Sequence, residues 1–191
     1  LERDLNPAFV MVPKVESAET VHLYRDWLGE QTHIIPIVET ARGLDKAAEI
    51  FSVPGLIYGL FGAVDYAADV GCDLSYDGML APRTRLLNAA AVSHILLIDA
   101  PYTHVHDLEG LAQEIRKTRV LGMRARAAIH PYQVTVIHDA FAPTAEEREY
   151  AKRVVDAFDT AGGRATLLDG KLIELPVIKA ARRVLATPTK E

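Results

Sequence analysis

The chain has 191 residues, of which 49% are hydrophobic and 25% charged, with a formal net charge of −5. This length suits one globular domain with a sizeable core, and the acidic balance favours neither nucleic acid nor an acidic membrane surface as a partner. No apolar stretch approaches the roughly 18–20 residues that a membrane span requires, so no membrane association is expected. The single cysteine, Cys72, excludes an internal disulfide framework and favours a reducing, cytoplasmic location.

Short apolar runs alternate with segments of helical periodicity over the first two thirds of the chain. Such runs, bounded by turn residues, are typical of buried strands in a parallel sheet. Serial strand–helix units of this kind are joined by right-handed crossovers. The predicted strands are 9–12, 34–38, 56–61, 95–98 and 126–129, and the intervening segments are helices 18–28, 42–50, 82–92 and 108–121 with a short helix or loop at 64–69.

The alternation changes after the fifth predicted strand. Thr144 followed by Glu147 is a capping-box pattern that opens a helix, and Asp169-Gly170 between two apolar runs is a hairpin signal. The predicted elements of this second part are helices 134–140, 145–160 and 176–185 and strands 165–168 and 171–175.

These patterns predict two domains, residues 1–140 with the strand–helix units and residues 141–191 as a helix–hairpin–helix arm. Five units are too few for a closed barrel of eight strands, which takes roughly 250 residues. From the residues alone, an open doubly wound parallel sheet is therefore the alternative.

Two of the predicted strands lead into carboxylates. Glu39 follows the run 34–38, and Asp65 follows the run 56–61. The carboxyl ends of parallel strands lie at one edge of a sheet, where binding sites form, so the two side chains can meet. Hard oxygen ligands suit magnesium. The pattern therefore indicates a magnesium site, and the alternative is a pair of solvated acids in loops.

Six segments, taken in order, resemble the citrate lyase beta-subunit-like family of the HpcH/HpaI aldolase and citrate lyase superfamily. Each one alone is weak, but six collinear segments are specific to the family, although not to a substrate. The segments are VPKVESAE (Val12–Glu19), PIVETARGL (Pro36–Leu44), FGAVDYAADVG (Phe61–Gly71), IDAPYT (Ile98–Thr103), AIHPYQV (Ala128–Val134) and DGKLIELPV (Asp169–Val177).

The resemblance implies a TIM-type (β/α) barrel, of which this chain would contain the last five βα units, followed by a C-terminal arm that packs on a neighbouring subunit. Members of the family open with three further strands, so either such strands precede Leu1 or the chain is a true short form; the open strand edges of a five-stranded form favour the first interpretation. In the family, that earlier part carries the arginine that binds the substrate carboxylate.

For the site, the resemblance implies that Glu39 and Asp65 bind Mg²⁺, together with water and substrate oxygens. The family often has Glu-Asp where this chain has Val64-Asp65, which changes a neighbour of the ligand and keeps the ligand itself.

Three small or apolar residues before Asp65 are predicted to bind substrate. Backbone N–H groups of Gly62, Ala63 and Val64 could approach a substrate carboxylate; the alternative is that the glycine only permits the turn. Lys14 is predicted to neutralise a carboxylate or phosphate, and a Lys14–Glu16 ion pair is its alternative.

Glu174 is the sharpest departure from the family pattern. Relatives with malyl- or citramalyl-CoA chemistry usually carry aspartate where this chain reads GKLIELP. The resemblance implies that Glu174 is the catalytic acid or base and reaches a neighbouring active site. Its extra methylene could retune or weaken proton transfer, which needs a donor–acceptor distance of about 2.6–3.2 Å. The alternative is a surface glutamate.

Four other residues carry weaker hypotheses. Tyr102 and Thr103 either line a channel for the coenzyme A thioester arm or pack in the core. Arg42 either orients Glu39 or lies on the surface. For His130, at the end of the last strand, a structural role is favoured over that of a general base.

The resemblance implies a magnesium-dependent carbon–carbon lyase that cleaves or forms a 3-hydroxy-acyl-CoA thioester, such as malyl-, citramalyl- or citryl-CoA. The products of cleavage would be a 2-oxo acid and acetyl-CoA. The alternatives are a malyl-CoA-type thioesterase and a non-catalytic subunit that binds coenzyme A or an oxo acid. A site shared between subunits implies a homotrimer or a dimer of trimers, and an acyl-carrier-protein complex is a further expected partner.

Overall fold

The computed structural model describes residues 7–187; the outermost residues of the two predicted domains, 1–6 and 188–191, lie outside the described residues. The chain forms two compact units that divide between Ala140 and Phe141. Among the described residues, the first unit contains a five-stranded sheet with its helices, and the second contains two helices and a two-stranded hairpin. Within residues 7–187, no helix combines the length and the apolar character needed to cross a membrane.

The sheet of the first unit is parallel, and its strands are paired in chain order. A doubly wound sheet reverses its strand order at a switch point, and this sheet has no reversal, so that alternative is wrong. The sequential parallel order is that of a (β/α) barrel. The strands are β1 (Phe9–Val12), β2 (His33–Val38), β3 (Tyr58–Phe61), β4 (Leu96–Asp99) and β5 (Ala125–Arg126).

Most helices of the first unit begin at a residue whose side chain accepts a backbone N–H group. Ser17, Thr40, Ser75 and Asp107 each cap a helix in this way, which satisfies donors that have no partner inside the helix. The helices are α1 (Ala18–Leu28), α2 (Ala41–Asp45), α3 (Ala47–Phe51), α4 (Ala63–Val70), α5 (Tyr76–Val92), α6 (Leu108–Leu121) and α7 (Pro131–Phe141).

Two helices differ from their predicted form. The helix predicted over 42–50 is two short helices, α2 and α3, because the backbone of Lys46 leaves the helical region between them. Helix α5 begins six residues before Pro82, which was expected in the first turn, because the Ser75 hydroxyl accepts the N–H group of Gly78 and starts the helix there. Pro82 is buried inside the helix, where a proline removes one intrahelical hydrogen bond.

Strand β5 is shorter than the predicted strand 126–129. The chain leaves the ladder after Ala127, whose N–H group donates to the carbonyl of Asp99. The N–H group of Ile129 then donates to the Gln133 side chain, 3.0 Å away, instead of to a neighbouring strand. The side chain of Gln133 therefore accepts the hydrogen bond that a backbone carbonyl of a neighbouring strand would accept in a longer strand.

The core of the first unit lies between the sheet and the helices that follow each strand. Each large side chain that is removed from water there contributes about 1.5–3 kcal/mol. Fully buried members include Ile34, Val38 and Phe61 from the strands and Ile50, Leu86, Leu111 and Ile115 from the helices.

The second unit has a core of its own. Helices α8 (Ala145–Thr160) and α9 (Leu175–Ala186) pack together around a hairpin of β6 (Thr166–Leu168) and β7 (Lys171–Ile173). The predicted capping box at Thr144 and Glu147 is confirmed by hydrogen bonds in both directions. The buried side chains are Ala151, Val154, Phe158, Ile173, Ile178 and Ala181.

Candidate active site

Glu39 and Asp65 follow two neighbouring strands at the same edge of the sheet. Strands β2 and β3 pair through Val38 and Phe61, the last residue of each. Glu39 comes next after β2, and Asp65 lies in the first turn of α4, the helix that follows β3. Glu39 is only 7% exposed, whereas the side chain of Asp65 is 54% exposed. One carboxylate is therefore fixed in the protein and the other faces solvent.

Hydrogen bonds link the segments of chain that lie next to these two carboxylates in the sequence. The N–H group of Val15 donates to the carbonyl of Ile37 at 3.2 Å, and a carboxylate oxygen of Asp69 accepts the N–H group of Ala41 at 2.7 Å. A Cβ atom at Gly43 would lie 2.6 Å from the Val15 carbonyl oxygen. The loop after β1, strand β2 and helices α2 and α4 are thus linked to one another around the site.

Burial is the main influence on the pKa of Glu39, and the nearby charges of Asp65 and Lys14 act on it in opposite directions. Burial raises its pKa above the ordinary value of 4.5, the N–H group of Lys14 opposes this effect at 2.8 Å from Oε1, and the negative charge of Asp65 raises the pKa further. Within residues 7–187, the second oxygen, Oε2, has no hydrogen bond. A cation beside the two carboxylates would compensate their charge.

The donor set fits magnesium. Magnesium is bound by oxygen ligands, commonly one or two carboxylates, and keeps several waters. In the described part of the chain, no group of three or more His, Cys, Asp and Glu side chains could hold a metal ion. A cation at Glu39 and Asp65 would therefore take its remaining ligands from water and substrate.

Gly62 provides the space that Glu39 occupies. Its φ of −94° is accessible to any residue, so the turn itself does not require glycine. A Cβ atom there would lie 2.5 Å from the Glu39 Cβ atom and would overlap Oε2. The N–H group of Gly62 donates to the carbonyl of Val38 at 3.0 Å, so the prediction that it binds substrate is wrong. Among the described residues no side chain caps α4, so the N–H groups of Ala63 and Val64 begin the helix without a capping acceptor. Free N–H groups at a helix start favour an anion.

Lys14 faces Asp65 rather than Glu16. Its ammonium lies 4.0 Å from a carboxylate oxygen of Asp65. Glu16 accepts a hydrogen bond from the Thr40 hydroxyl at 2.8 Å and pairs with the Arg42 guanidinium at 3.8 Å. The Lys14–Glu16 pair is therefore not present, and Arg42 is an exposed residue that does not contact Glu39.

A cavity of about 390 Å³ adjoins the start of α4. Ala63 and Val64 form part of its wall, and Tyr102 and Thr103, the two residues predicted for a thioester channel, form another part. The Tyr102 hydroxyl donates to a carboxylate oxygen of Asp107 at 2.7 Å. Burial and this hydrogen bond raise the pKa of Tyr102 to about 12, so the phenol stays neutral.

Sequence reasoning missed a buried network of four charges at the ends of β4 and β5. Asp99 accepts from the Arg83 Nε atom at 3.0 Å and from Arg126 at 3.5 Å, and one Glu114 oxygen accepts from both arginines at 2.6 and 2.8 Å. Burial would raise the pKa of Glu114, but Arg126 and Arg83 together hold it below its ordinary value. Arg83, Glu114 and Arg126 also border the cavity. The only sequence signal was an arginine on the inward face of a predicted helix.

His130 has a structural role in this arrangement. Its Nδ1 atom accepts the N–H group of Tyr132 at 3.2 Å, in the first turn of α7. Its ring also packs against the rings of Tyr132 and His106. These contacts favour the structural interpretation over a general base.

Glu174 lies in the second unit, immediately before α9. It is exposed, its backbone is extended, and its side chain does not cap the helix. The carboxylate is therefore available to solvent, and its role at a neighbouring active site stays a prediction.

As the pH falls, magnesium binding should begin to weaken at a higher pH than it would if the ligand were a glutamate with an ordinary pKa. Binding requires the deprotonated form of Glu39, and burial together with Asp65 raises the pKa of that group. Titration calorimetry at falling pH, in two buffers of different ionisation enthalpy, should show weaker binding and proton release. An affinity that stays constant down to the ordinary pKa of glutamate would contradict the assignment of Glu39.

Two family profiles match the chain. The profile of HpcH/HpaI aldolase/citrate lyase matches residues 3–131, and that of C-C bond lyase of the TIM-barrel fold matches residues 79–187.

Named relatives agree with these profiles. The citrate lyase subunit beta-like protein of Deinococcus radiodurans is 31% identical over 93% of this chain, and the mitochondrial citramalyl-CoA lyase of Rattus norvegicus is 29% identical over 100% of it. This chain covers 65% and 64% of the lengths of those two proteins.

A solved structure extends the similarity to three dimensions. Protein CitE from Mycobacterium tuberculosis, in complex with magnesium, acetoacetate and coenzyme A, is 32% identical and superposes with a TM-score of 0.80. The match covers 93% of this chain and 67% of the CitE chain. With its sequential parallel sheet and its matching profiles, the chain has a TIM-barrel-type fold and belongs to the HpcH/HpaI aldolase/citrate lyase family.

Proposed function

We propose that the protein is a magnesium-dependent carbon–carbon lyase that acts on a 3-hydroxy-acyl-CoA thioester, such as citramalyl-, malyl- or citryl-CoA, or catalyses the reverse condensation. The observation that carries this proposal is that the carboxylates of Glu39 and Asp65 interact electrostatically beside a cavity at the carboxyl edge of the sheet. The name of the rat relative and the ligands of the CitE structure support the substrate class.

Glu39 and Asp65 would hold the magnesium ion. When bound, the ion supplies Lewis-acid chemistry, which stabilises negative charge on the substrate oxygen. Lys14 and the N–H groups of Ala63 and Val64 would bind the carboxylate of the acid portion, because a cation and free helix N–H groups both favour an anion.

The cavity is suited to the thioester side of the substrate. Its wall includes Ala63 and Val64, which precede Asp65 in the chain, together with the apolar residues Leu74 and Met79 and the polar residue Thr103. Mixed apolar and polar walls are common in pockets that orient a small organic group.

Cleavage needs two proton movements. The substrate hydroxyl loses its proton to solvent as its carbon becomes a carbonyl, and the electron pair of the broken carbon–carbon bond passes to the α-carbon of the thioester, which becomes an enolate. That carbon takes up a proton to give acetyl-CoA. We assign the proton donor to Glu174 of an adjacent subunit, because it is an exposed carboxylate whose side chain makes no hydrogen bond within residues 141–187.

A site completed by another subunit requires an oligomer, and we propose a homotrimer or a dimer of trimers in the cytoplasm. The second unit exposes apolar side chains at its hairpin and at the start of α9, namely Leu167, Leu172 and Leu175, which supports docking on another protein surface. A complex with an acyl carrier protein stays a prediction.

The test is product analysis with the full-length protein and Mg²⁺, using malyl-, citramalyl- and citryl-CoA. A lyase gives an oxo acid and acetyl-CoA. Glu174→Asp should keep turnover within about tenfold of the wild type, because the carboxylic acid is retained, and Glu174→Gln should lose about a hundredfold or more.

Other outcomes would overturn this assignment. Release of the intact hydroxy acid and free coenzyme A would indicate a thioesterase. Binding of oxo acid without turnover of any thioester would indicate a non-catalytic subunit. A Glu174→Gln variant with unchanged turnover would remove Glu174 from the mechanism.

A further inference from the structure

We propose that Lys14 is a positioning residue with two separable effects on the cation site: its main chain orients Glu39, and its ammonium competes with the incoming cation at Asp65. This inference rests on the proposed magnesium site at Glu39 and Asp65.

The main-chain effect follows from an unusual backbone conformation. Lys14 has a φ of +49°, a region that residues with a side chain rarely adopt. Strain of this kind persists when the surroundings hold it. Here the next residue, Val15, is fully buried and donates its N–H group to Ile37. In this conformation the N–H group of Lys14 lies 2.8 Å from the Oε1 atom of Glu39.

This hydrogen bond orients Glu39, and Gly62 leaves the room that this orientation needs. The Oε1 atom accepts the N–H group of Lys14, and a Cβ atom at residue 62 would overlap the Oε2 atom. The carboxylate is thus held through one oxygen, and the other is free of hydrogen bonds in the described chain. That free oxygen is available to a cation.

The side-chain effect is electrostatic. The Lys14 ammonium lies 4.0 Å from Asp65, and the two side chains are 67% and 54% exposed. A pair this exposed is weak and readily rearranged. It nevertheless places a positive charge where a divalent cation would bind, so the ammonium opposes cation binding and must move when the cation enters. Once displaced, it remains beside the helix start at Ala63, where it can pair with a substrate carboxylate.

Three substitutions separate the two effects. Lys14→Gly and Lys14→Asn remove the ammonium but accept a positive φ, whereas Lys14→Val removes the ammonium and strongly disfavours that φ. We expect the glycine and asparagine variants to bind Mg²⁺ about three- to tenfold more tightly than the wild type at low ionic strength, with a smaller gain at high salt. The valine variant should bind several-fold more weakly than the glycine variant.

The affinities are measured by titration calorimetry with MgCl₂, and circular dichroism checks that each variant is folded. Lys46→Met is the matched control, because Lys46 is an exposed lysine that pairs with Glu49 away from the site, and its Mg²⁺ affinity should equal that of the wild type. In the Mg²⁺-loaded state, Lys14→Gly should bind oxaloacetate several-fold more weakly than the wild type does.

The results that overturn the inference differ from those that overturn the proposed function. Equal Mg²⁺ affinity in the wild type and in Lys14→Gly would show that the ammonium does not compete. Equal affinity in the glycine and valine variants would show that the main-chain conformation is not needed. A wild-type protein that binds no Mg²⁺ would instead remove the proposed magnesium site.

Discussion

Replacing Glu39 with glutamine should abolish measurable Mg²⁺ binding at millimolar concentrations and lower turnover of the thioester by about a thousandfold or more. The variant keeps the size of the side chain but loses the negative charge of the one carboxylate that the protein holds in a fixed orientation. Loss of several kcal/mol of Lewis-acid stabilisation corresponds to a rate change of this order. Titration calorimetry and kcat/KM measured against magnesium concentration check the two effects.

A steric variant tests the same prediction without changing any charge. In Gly62→Ala, the added Cβ atom would overlap Glu39, so magnesium affinity should fall although both carboxylates remain. Glu30→Gln is the control, because Glu30 is an exposed residue in the loop after α1. If Glu39→Gln bound magnesium as tightly as this control, Glu39 would not be a ligand.

Asp99→Asn should destabilise the protein by about 3–5 kcal/mol, because it removes one partner from a buried network of charges and leaves the others uncompensated. Asp99 has no exposed surface, and it accepts hydrogen bonds from Arg83 and Arg126. In the variant, two buried guanidinium groups would share the single negative charge of Glu114. Urea unfolding followed by circular dichroism measures the change.

Two further variants make this measurement decisive. Asp26→Asn, on the exposed face of α1, should change the free energy of unfolding by less than about 0.5 kcal/mol. The loss in free energy of unfolding in the double variant Glu114→Gln/Asp99→Asn should differ from the sum of the losses in the two single variants. Members of one network do not act independently. Additive and small effects would mean that the four groups do not stabilise one another.

The elements predicted best from the sequence are those whose first and last residues are determined by neighbouring residues in the chain. Strand β1 and helices α1, α6 and α8 have the predicted bounds. In α1, α6 and α8, a capping side chain at the start and an amphipathic face are both readable from neighbouring residues. Pro82 was misplaced because its position is decided by the earlier cap at Ser75. Strand β5 was predicted too long because a distant side chain, Gln133, takes the place of the ladder.

At the candidate site, too, some features could be predicted from the sequence and others depend on contacts that exist only in the folded chain. Glu39 and Asp65 could be proposed as neighbours because strand ends meet at one edge in any parallel sheet. The partner of Lys14 could not be predicted, since it depends on a backbone conformation that only the folded loop reveals. The network around Asp99 joins residues from four separate elements, and no spacing in the sequence indicates such a contact.

The sequential order of the five strands has a consequence for how the protein folds during synthesis. Within residues 7–187, each strand from β2 to β5 pairs with the strand that was made just before it, from His33 with Phe9 to Ala125 with Ile98. For these four pairings, loop closure at each step spans one crossover only. The first unit can therefore grow one strand and helix at a time as the chain leaves the ribosome, and each new strand covers the edge left exposed by the last.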